Sequence, residues 1–278
     1  MSEIVSPGGV LRPVSSGAHR REVDFRGGGF MEVPKPLYSS IAFAGIIGIW
    51  QLSVSSGWID PVFLPSPASI CIALWQLVIS GDLWRHLSIS LERIGVGWII
   101  GTVLGLGIGV AMGLFSSARA VGMPLVSALY PVPKIALLPL LILWLGIGET
   151  PKIVTIASGA FFPTIIATLS GVDSVPRNLI RMAQSFNLPM RSIVWKIILP
   201  SALPGILAGF RISVSVALIL VVSAEMIGAQ YGIGAFLLTA GNLMQSDDLM
   251  AGVVILSILG LVIGYLLSTI ERIFLRWR

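Results

Sequence analysis

Apolar residues in this chain gather into long runs separated by short polar or Pro/Gly-rich breaks, rather than recurring at the spacing of an amphipathic helix. Six runs read as membrane spans: 37–54, 94–115, 123–145, 153–170, 203–222 and 250–269. A helix needs about 20 predominantly apolar residues to cross the hydrocarbon core. Between the first two spans lies a polar, amphipathic stretch, 60–93. It contains Leu64-Pro65-Ser66-Pro67, a turn that caps a helix starting near Ala68. Residues 171–200 form a charged connection between the fourth and fifth spans.

Composition supports the spans. Of 278 residues, 55% are hydrophobic and 11% charged, with a mean hydropathy of +0.93. A soluble domain of this length carries about 25% charged residues, a gap too wide for a generous core to explain. The net charge of +5 would suit nucleic acid, but its cations sit in short clusters between apolar runs, as expected at an anionic membrane surface. Nucleic acid is therefore not expected as a partner, whereas lipid is. Residues 1–35, rich in Gly, Ser, Pro and Arg, are expected to be a disordered tail. They are too long and polar for a secretory leader, and no small-residue cleavage site follows the first run, so that run is expected to stay in the membrane.

Lys and Arg set the expected orientation. With the N-terminus inside, 13 of the 18 fall on the cytoplasmic side and three (Arg85, Arg93, Lys152) outside, while Lys134 and Arg211 lie within spans. The asymmetry follows the positive-inside rule for an even number of crossings. Both termini are expected in the cytoplasm.

Several features inside the spans bear on function. Gly97, Gly101, Gly105, Gly109 and Gly113 recur every fourth residue on one helix face, where a neighbouring backbone can approach closely. An internal packing face is favoured over a dimer seam. The third span carries Tyr130-Pro131-Val132-Pro133-Lys134 and then Pro139. Prolines remove hydrogen-bond donors and bend or break a helix, and exposed backbone at membrane depth faces protein or a water-filled cavity. Tyr130, Pro133 and Lys134 are thus candidates for a translocation pathway. Lys134 is read either as a functional intramembrane cation or as a side chain snorkelling to the interface. Glu225 is a further pathway candidate, although pairing or capping at a span end would also account for it, and Arg211 is close enough to the surface to snorkel.

Residues 175–204 carry the most information. Pro176 opens a polar helix with Arg177, Asn178 and Arg181; Ser185-Phe186-Asn187-Leu188-Pro189 follows, and a second helix runs to Leu199-Pro200. Asn tolerates the left-handed conformation that ends helices. The segment therefore reads as two short helices joined by a tight turn, too polar to span and too patterned for a disordered loop.

This loop resembles that of the binding-protein-dependent ABC permeases, which carry Glu-Ala-Ala, three residues, Gly, nine residues, Ile, one residue, Leu-Pro. At that spacing this chain has Arg181-Met182-Ala183, Asn187, Ile197 and Leu199-Pro200. Ala183, Ile197, Leu199 and Pro200 match. Asn187 keeps the backbone requirement of the glycine, whereas Arg181 reverses the family's charge. From about residue 64 onward, Phe63-Leu64-Pro65-Ser66-Pro67, Pro133-Lys134-Ile135-Ala136-Leu137-Leu138-Pro139, Trp144-Leu145-Gly146-Ile147-Gly148-Glu149, 203–211 and Ala224-Glu225-Met226-Ile227-Gly228 resemble the branch importing nitrate, taurine and aliphatic sulfonates.

The resemblance implies an all-α polytopic membrane protein with six transmembrane helices in the type I ABC importer permease fold. Its parts would be a tail at 1–35, a first span with an amphipathic periplasmic segment at 36–83, a core at 84–270 with a coupling loop at 176–200, and a tail at 271–278. It implies a bacterial inner-membrane permease working with a second copy of itself, two ATP-binding subunits and a periplasmic or lipid-anchored substrate-binding protein. Arg181, Ala183, Ser185, Phe186, Asn187 and Leu188 would meet the ATPase. ATP and magnesium would sit on that partner, and no cofactor on this chain. The residues agree: none of the four lysines follows a glycine, so no Gly-x4-Gly-Lys-Ser/Thr phosphate loop exists. His19, His86 and Cys71 lie apart, with no metal or triad constellation. An ion-gradient-driven secondary transporter is the alternative, and it lacks the expected repeats and acidic relays.

Overall fold

The computed structural model describes residues 36–276. The tail expected at 1–35 and the last two residues lie outside the described residues. The chain divides into two compact units, 1–48 and 49–278. In the first, the described residues open helix α1 (Pro36–Ser55), whose last turns belong to the second.

The regular secondary structure among the second unit's described residues is all helical, joined by short turns. Ser66 caps α2 (Pro67–Ser80), its Oγ accepting from Ser69 N at 3.1 Å, and Pro67 occupies the first helical position, where the missing N–H is harmless. Gly81, at φ +83°, turns the chain directly into α3 (Asp82–Leu114). The helix thus starts twelve residues before the second predicted span, and Arg85, His86 and Arg93 stand on it rather than in a loop. After α3 come α4 (Ser116–Leu129), a 3-10 turn (Lys134–Leu137) and α5 (Leu138–Leu145). The third predicted span is therefore two helical pieces bent by 86°. Pro131 and Pro133 supply the physical reason, since neither can donate to the preceding turn.

Helix α6 (Thr150–Asp173) is the central post, with fourteen buried residues along its length. The glycine stripe of α3 lies against it. A Cβ on Gly101 would meet Ala157 O at 2.3 Å, and one on Gly109 would meet Thr168 Cβ at 2.6 Å. The stripe is an internal packing face that lets two backbones touch. On its other side α6 packs on α9 (Leu199–Gly228), where Gly209 faces Ala167 and Gly205 faces Gly171.

Two further features depart from the sequence reading. The helix after α7 (Arg177–Ser185) does not stop at Leu199-Pro200. It continues as α8 (Met190–Ile193), a π turn (Val194–Ile198) and α9, one 39-residue helix from Met190 to Gly228. The wider π turn leaves room for the Pro200 ring beside the preceding carbonyls, so the proline is absorbed without a break. A short apolar helix, α10 (Ile233–Asn242), then lies between α9 and α11 (Ser246–Phe274), where no element was assigned. It packs so closely on α9 that a Cβ on Gly234 would meet Val222 O at 2.4 Å.

Among the described residues, five helices are long and apolar enough to cross a membrane, and the bent α4–α5 pair makes a sixth if counted as one span.

Candidate functional site

The elbow between α7 and α8 is built by backbone geometry. Asn187 takes φ +53°, its N–H donates to Gln184 O at 2.9 Å, and Leu188 N donates to Ala183 O at 3.1 Å. These paired bonds form a Schellman motif, with Asn where glycine usually stands. Ser185 Oγ donates to Arg181 O at 3.0 Å and tightens the last turn. Ala183 is buried against Val175, Ile193, Ile198 and Ala202, which anchors α7 to α6 and α9. Facing away, Phe186 is 74% exposed, and Met182, Leu188 and Met190 are also exposed. Arg181 is exposed and joins none of the five ion pairs among the described residues.

The broken span is braced by its own lysine. Lys134 Nζ donates to Leu129 O at 2.8 Å, Tyr130 O at 3.1 Å and Val132 O at 2.7 Å, and lies 4.7 Å from the Phe162 ring centroid. All three ammonium donors serve carbonyls where α4 ends, at the negative end of that helix. Tyr130 is exposed and tilted towards Phe162, and Pro133 is exposed beside it.

Glu225 lies elsewhere, in a charged network at the opposite end of α6 from the elbow. That helix has 24 residues and so separates the two by about 36 Å. Glu225 is 1% exposed. Its carboxylate accepts from Ser90 Oγ at 2.8 and 3.0 Å, Arg93 Nη1 at 2.8 Å and Gly234 N at 2.9 Å. The last contact places a negative charge at the N-terminus of α10, where the helix dipole favours it. Gly232, at φ +129°, is required here, since a Cβ would come within 2.3 Å of the Glu225 carboxylate carbon. Arg93, 4% exposed, also donates to Tyr231 O at 2.7 Å. It grips Glu149 with two further N–H groups, Nη2 to Oε1 at 2.8 Å and Nε to Oε2. Lys152 adds a bond of 3.2 Å to Glu149 Oε1. His86 Nδ1 accepts from Gly232 N at 3.1 Å.

Arg93 thus ties together α3, the bend before α6, α9 and the entry to α10. Its two N–H groups, with help from Lys152 and against partial desolvation, hold the Glu149 carboxyl at about 2. Beside the network opens a cleft of about 420 Å3, lined by Glu92, Arg93, Glu149, Lys152, Gln230 and Tyr231 among others. Arg93 and Lys152, expected outside the membrane from the distribution of Lys and Arg, are instead buried in this network. The available signal is their place in or beside apolar stretches, each within a few residues of a carboxylate, Glu92 for Arg93 and Glu149 for Lys152. Among the described residues, no cluster of His, Cys, Asp and Glu could hold a metal ion.

Residues 101–278 match the model of the family described as binding-protein-dependent transport system inner membrane component. The chain is 36% identical over 235 residues to a putative aliphatic sulfonates transport permease protein, SsuC, of Bacillus subtilis, covering 84% of this chain and 85% of the relative. It is 35% identical over 239 residues to the taurine transport system permease protein TauC of Escherichia coli, covering 84% and 87%. Among solved structures, an inward-facing MetNI methionine ABC transporter matches with a TM-score of 0.60 at 23% identity, covering 70% of this chain and 97% of that one. At that identity the likeness concerns the fold.

Proposed function

We propose how this chain, which belongs to the family of binding-protein-dependent transport system inner membrane components, carries out its part in uptake. It is the membrane permease of an ATP-driven ABC importer, and hydrolysis is done by a separate subunit. Two copies of the chain form the pathway in a bacterial inner membrane, with the elbow and both termini in the cytoplasm, a placement supported by the distribution of Lys and Arg. Each elbow docks on one ATP-binding subunit, which carries ATP and magnesium. A substrate-binding protein delivers solute to the opposite face.

The observation that carries this reading is the elbow itself. Phe186, with Met182, Leu188 and Met190 around it, is an exposed apolar cluster on an otherwise polar segment, the signature of a surface that meets a protein partner. The cluster stands on a fixed turn whose second helix runs without interruption into α9. A push on the elbow is therefore transmitted along a rigid rod, and alternating access follows when nucleotide binding and hydrolysis favour different states. Tyr130 and Pro133, at the bend, face the pathway, while Lys134 and Glu225 brace its walls from within the protein.

The solute is a small organic or inorganic anion, such as a sulfonate, taurine or nitrate. Support comes from the sulfonate and taurine permeases to which the chain is similar. The test is reconstitution of the complete transporter with Phe186→Glu or with Asn187→Val, which cannot hold φ +53° without strain. Both variants should enter the membrane yet lose solute uptake and solute-stimulated ATP hydrolysis. Normal uptake by Phe186→Glu would overturn the coupling role.

A further inference from the structure

We infer that the surface of the ATP-binding subunit that receives the elbow pairs an apolar wall with a cluster of Asp and Glu side chains, set against Arg177, Arg181 and Arg191. This deepens, and rests on, the reading of the elbow as the docking point for that subunit. From Ser174 to Ala224 the chain has no acidic residue, whereas the elbow holds Arg177, Arg181, Arg191 and Lys196. All four are exposed, and none joins an ion pair among the described residues. Arg177 and Arg181 stand four residues apart on α7, hence on one face, where like charges repel. Arg177 opens α7 and Arg191 is second in α8, so both also sit at helix N-termini, where the dipole disfavours a cation. The negative ends nearby are already capped. The Ser174 and Val175 amides close α6, and those of Phe186, Asn187 and Leu188 close α7. Of the other charges at this end, Asp173 accepts from Arg119 at 2.8 and 2.6 Å, Glu271 is paired with Arg211, and Arg272 and Arg276 are positive. Residues 1–35 hold five cations to four acids, so the tail has no surplus of negative charge either.

Helix α7 carries a second exposed stripe. Leu179, Met182 and Phe186, three and four residues apart, share a face, and Ile180 and Ala183 turn inward between this stripe and the arginines. A groove that accepts both stripes needs one apolar wall and one acidic wall. Anionic lipid headgroups would also neutralise arginines, but the long helix holds these beyond the bilayer. Arg211 and Glu271, a partly exposed ion pair between α9 and α11, mark where the hydrocarbon ends. Arg191 lies twenty residues earlier on the same continuous helix, about 30 Å along it. The headgroup layer on one side is only about 5–8 Å deep. Because α7 packs beside Ile193, Ile198 and Ala202 of that helix, Arg177 and Arg181 also stand past the headgroups. A protein surface is what remains to meet them.

The test is binding of the transporter's purified ATP-binding subunit to the full-length permease in nanodiscs of neutral phosphatidylcholine. Association should slow by about 10-fold or more as salt rises from about 0.05 to 0.5 M. The double variant Arg177→Gln/Arg181→Gln should slow it by about 10-fold at low salt and flatten the salt dependence. Phe186→Ala should instead act mainly through faster dissociation. Arg181→Lys, treated with a carbodiimide that condenses an amine with a touching carboxylate, should cross-link to an Asp or Glu of the ATP-binding subunit. Replacing that acid by Lys should rescue assembly of Arg181→Glu. The inference falls if wild-type association is indifferent to salt. It falls alone, with docking left standing, if the double Gln variant binds as wild type while Phe186→Glu does not bind. Normal binding by both variants sinks the docking reading with it. Arginine effects that appear only when the nanodisc contains anionic phosphatidylglycerol would assign these side chains to lipid and overturn the inference. Should the double Gln variant not fold, the salt dependence of wild type decides.

Discussion

Replacing Arg93 by methionine removes the one side chain that joins α3, the bend before α6, α9 and the loop into α10. Two carboxylates and the Tyr231 carbonyl lose it together. Methionine keeps the length and apolar stem, so the loss is mainly electrostatic. Glu225, fully buried, would be left with Ser90 and the Gly234 amide. Uncovering one member of a buried ion pair costs about 3–5 kcal/mol. In a chain of this size that corresponds to a fall in melting temperature on the order of 10 °C. Glu149→Gln is the internal control, because its half-exposed carboxylate is already partly served by water. That change leaves buried Arg93 and Lys152 an amide oxygen in place of a carboxylate and should cost about 1–2 kcal/mol. Glu225→Gln, which keeps an oxygen for Ser90 and Gly234, should fall between the two at about 1–3 kcal/mol. Thermal unfolding of the purified permease in detergent gives the ranking. If Glu149→Gln destabilised as much as Arg93→Met, or if Arg93→Met melted within about 2 °C of wild type, the network would not be the brace described.

The same network fixes an acid response. Glu149 is depressed from 4.5 to about 2 in the folded protein. Its contribution is therefore complete above pH 4.5 and is lost as pH falls towards 2. The difference in melting temperature between wild type and Glu149→Gln should stay level down to about pH 5 and then shrink; a difference that grew on acidification would contradict the assignment. The glycine stripe makes a paired prediction. Gly101→Ala, which drives a Cβ to 2.3 Å from Ala157 O, should destabilise by about 1–3 kcal/mol. Gly107→Ala, on the same helix but facing open space, should stabilise by about 0.5–1 kcal/mol. Equal effects at the two positions, in the same unfolding assay, would argue against backbone contact between α3 and α6.

The sequence by itself determined what local chemistry controls. Runs of apolar residues long enough for a bilayer marked the spans, because a membrane leaves helices few other ways to satisfy their backbone. Ser66-Pro67 marked the start of α2 to within a residue, since a cap and a proline act within one turn. Asn187 marked the elbow for the same reason, as its left-handed φ is a property of the residue and its immediate neighbours. The four-residue glycine spacing announced a close packing face, but not the partner; that α6 lies there is a tertiary fact.

Charge was where local reading stopped. Arg93 meets Glu149 and Glu225 across separations of 56 and 132 residues, so no window of sequence contains the pair, and a count of Lys and Arg treats Arg93 as loop surface. Lys134 and Lys152 are alike as lysines in apolar surroundings. Only the folded chain distinguishes them, by giving one three carbonyls and the other a single carboxylate beside an open cleft. Periodicity and capping are decided within a helical turn, whereas the partner of a buried charge is decided by which helices the packing brings together.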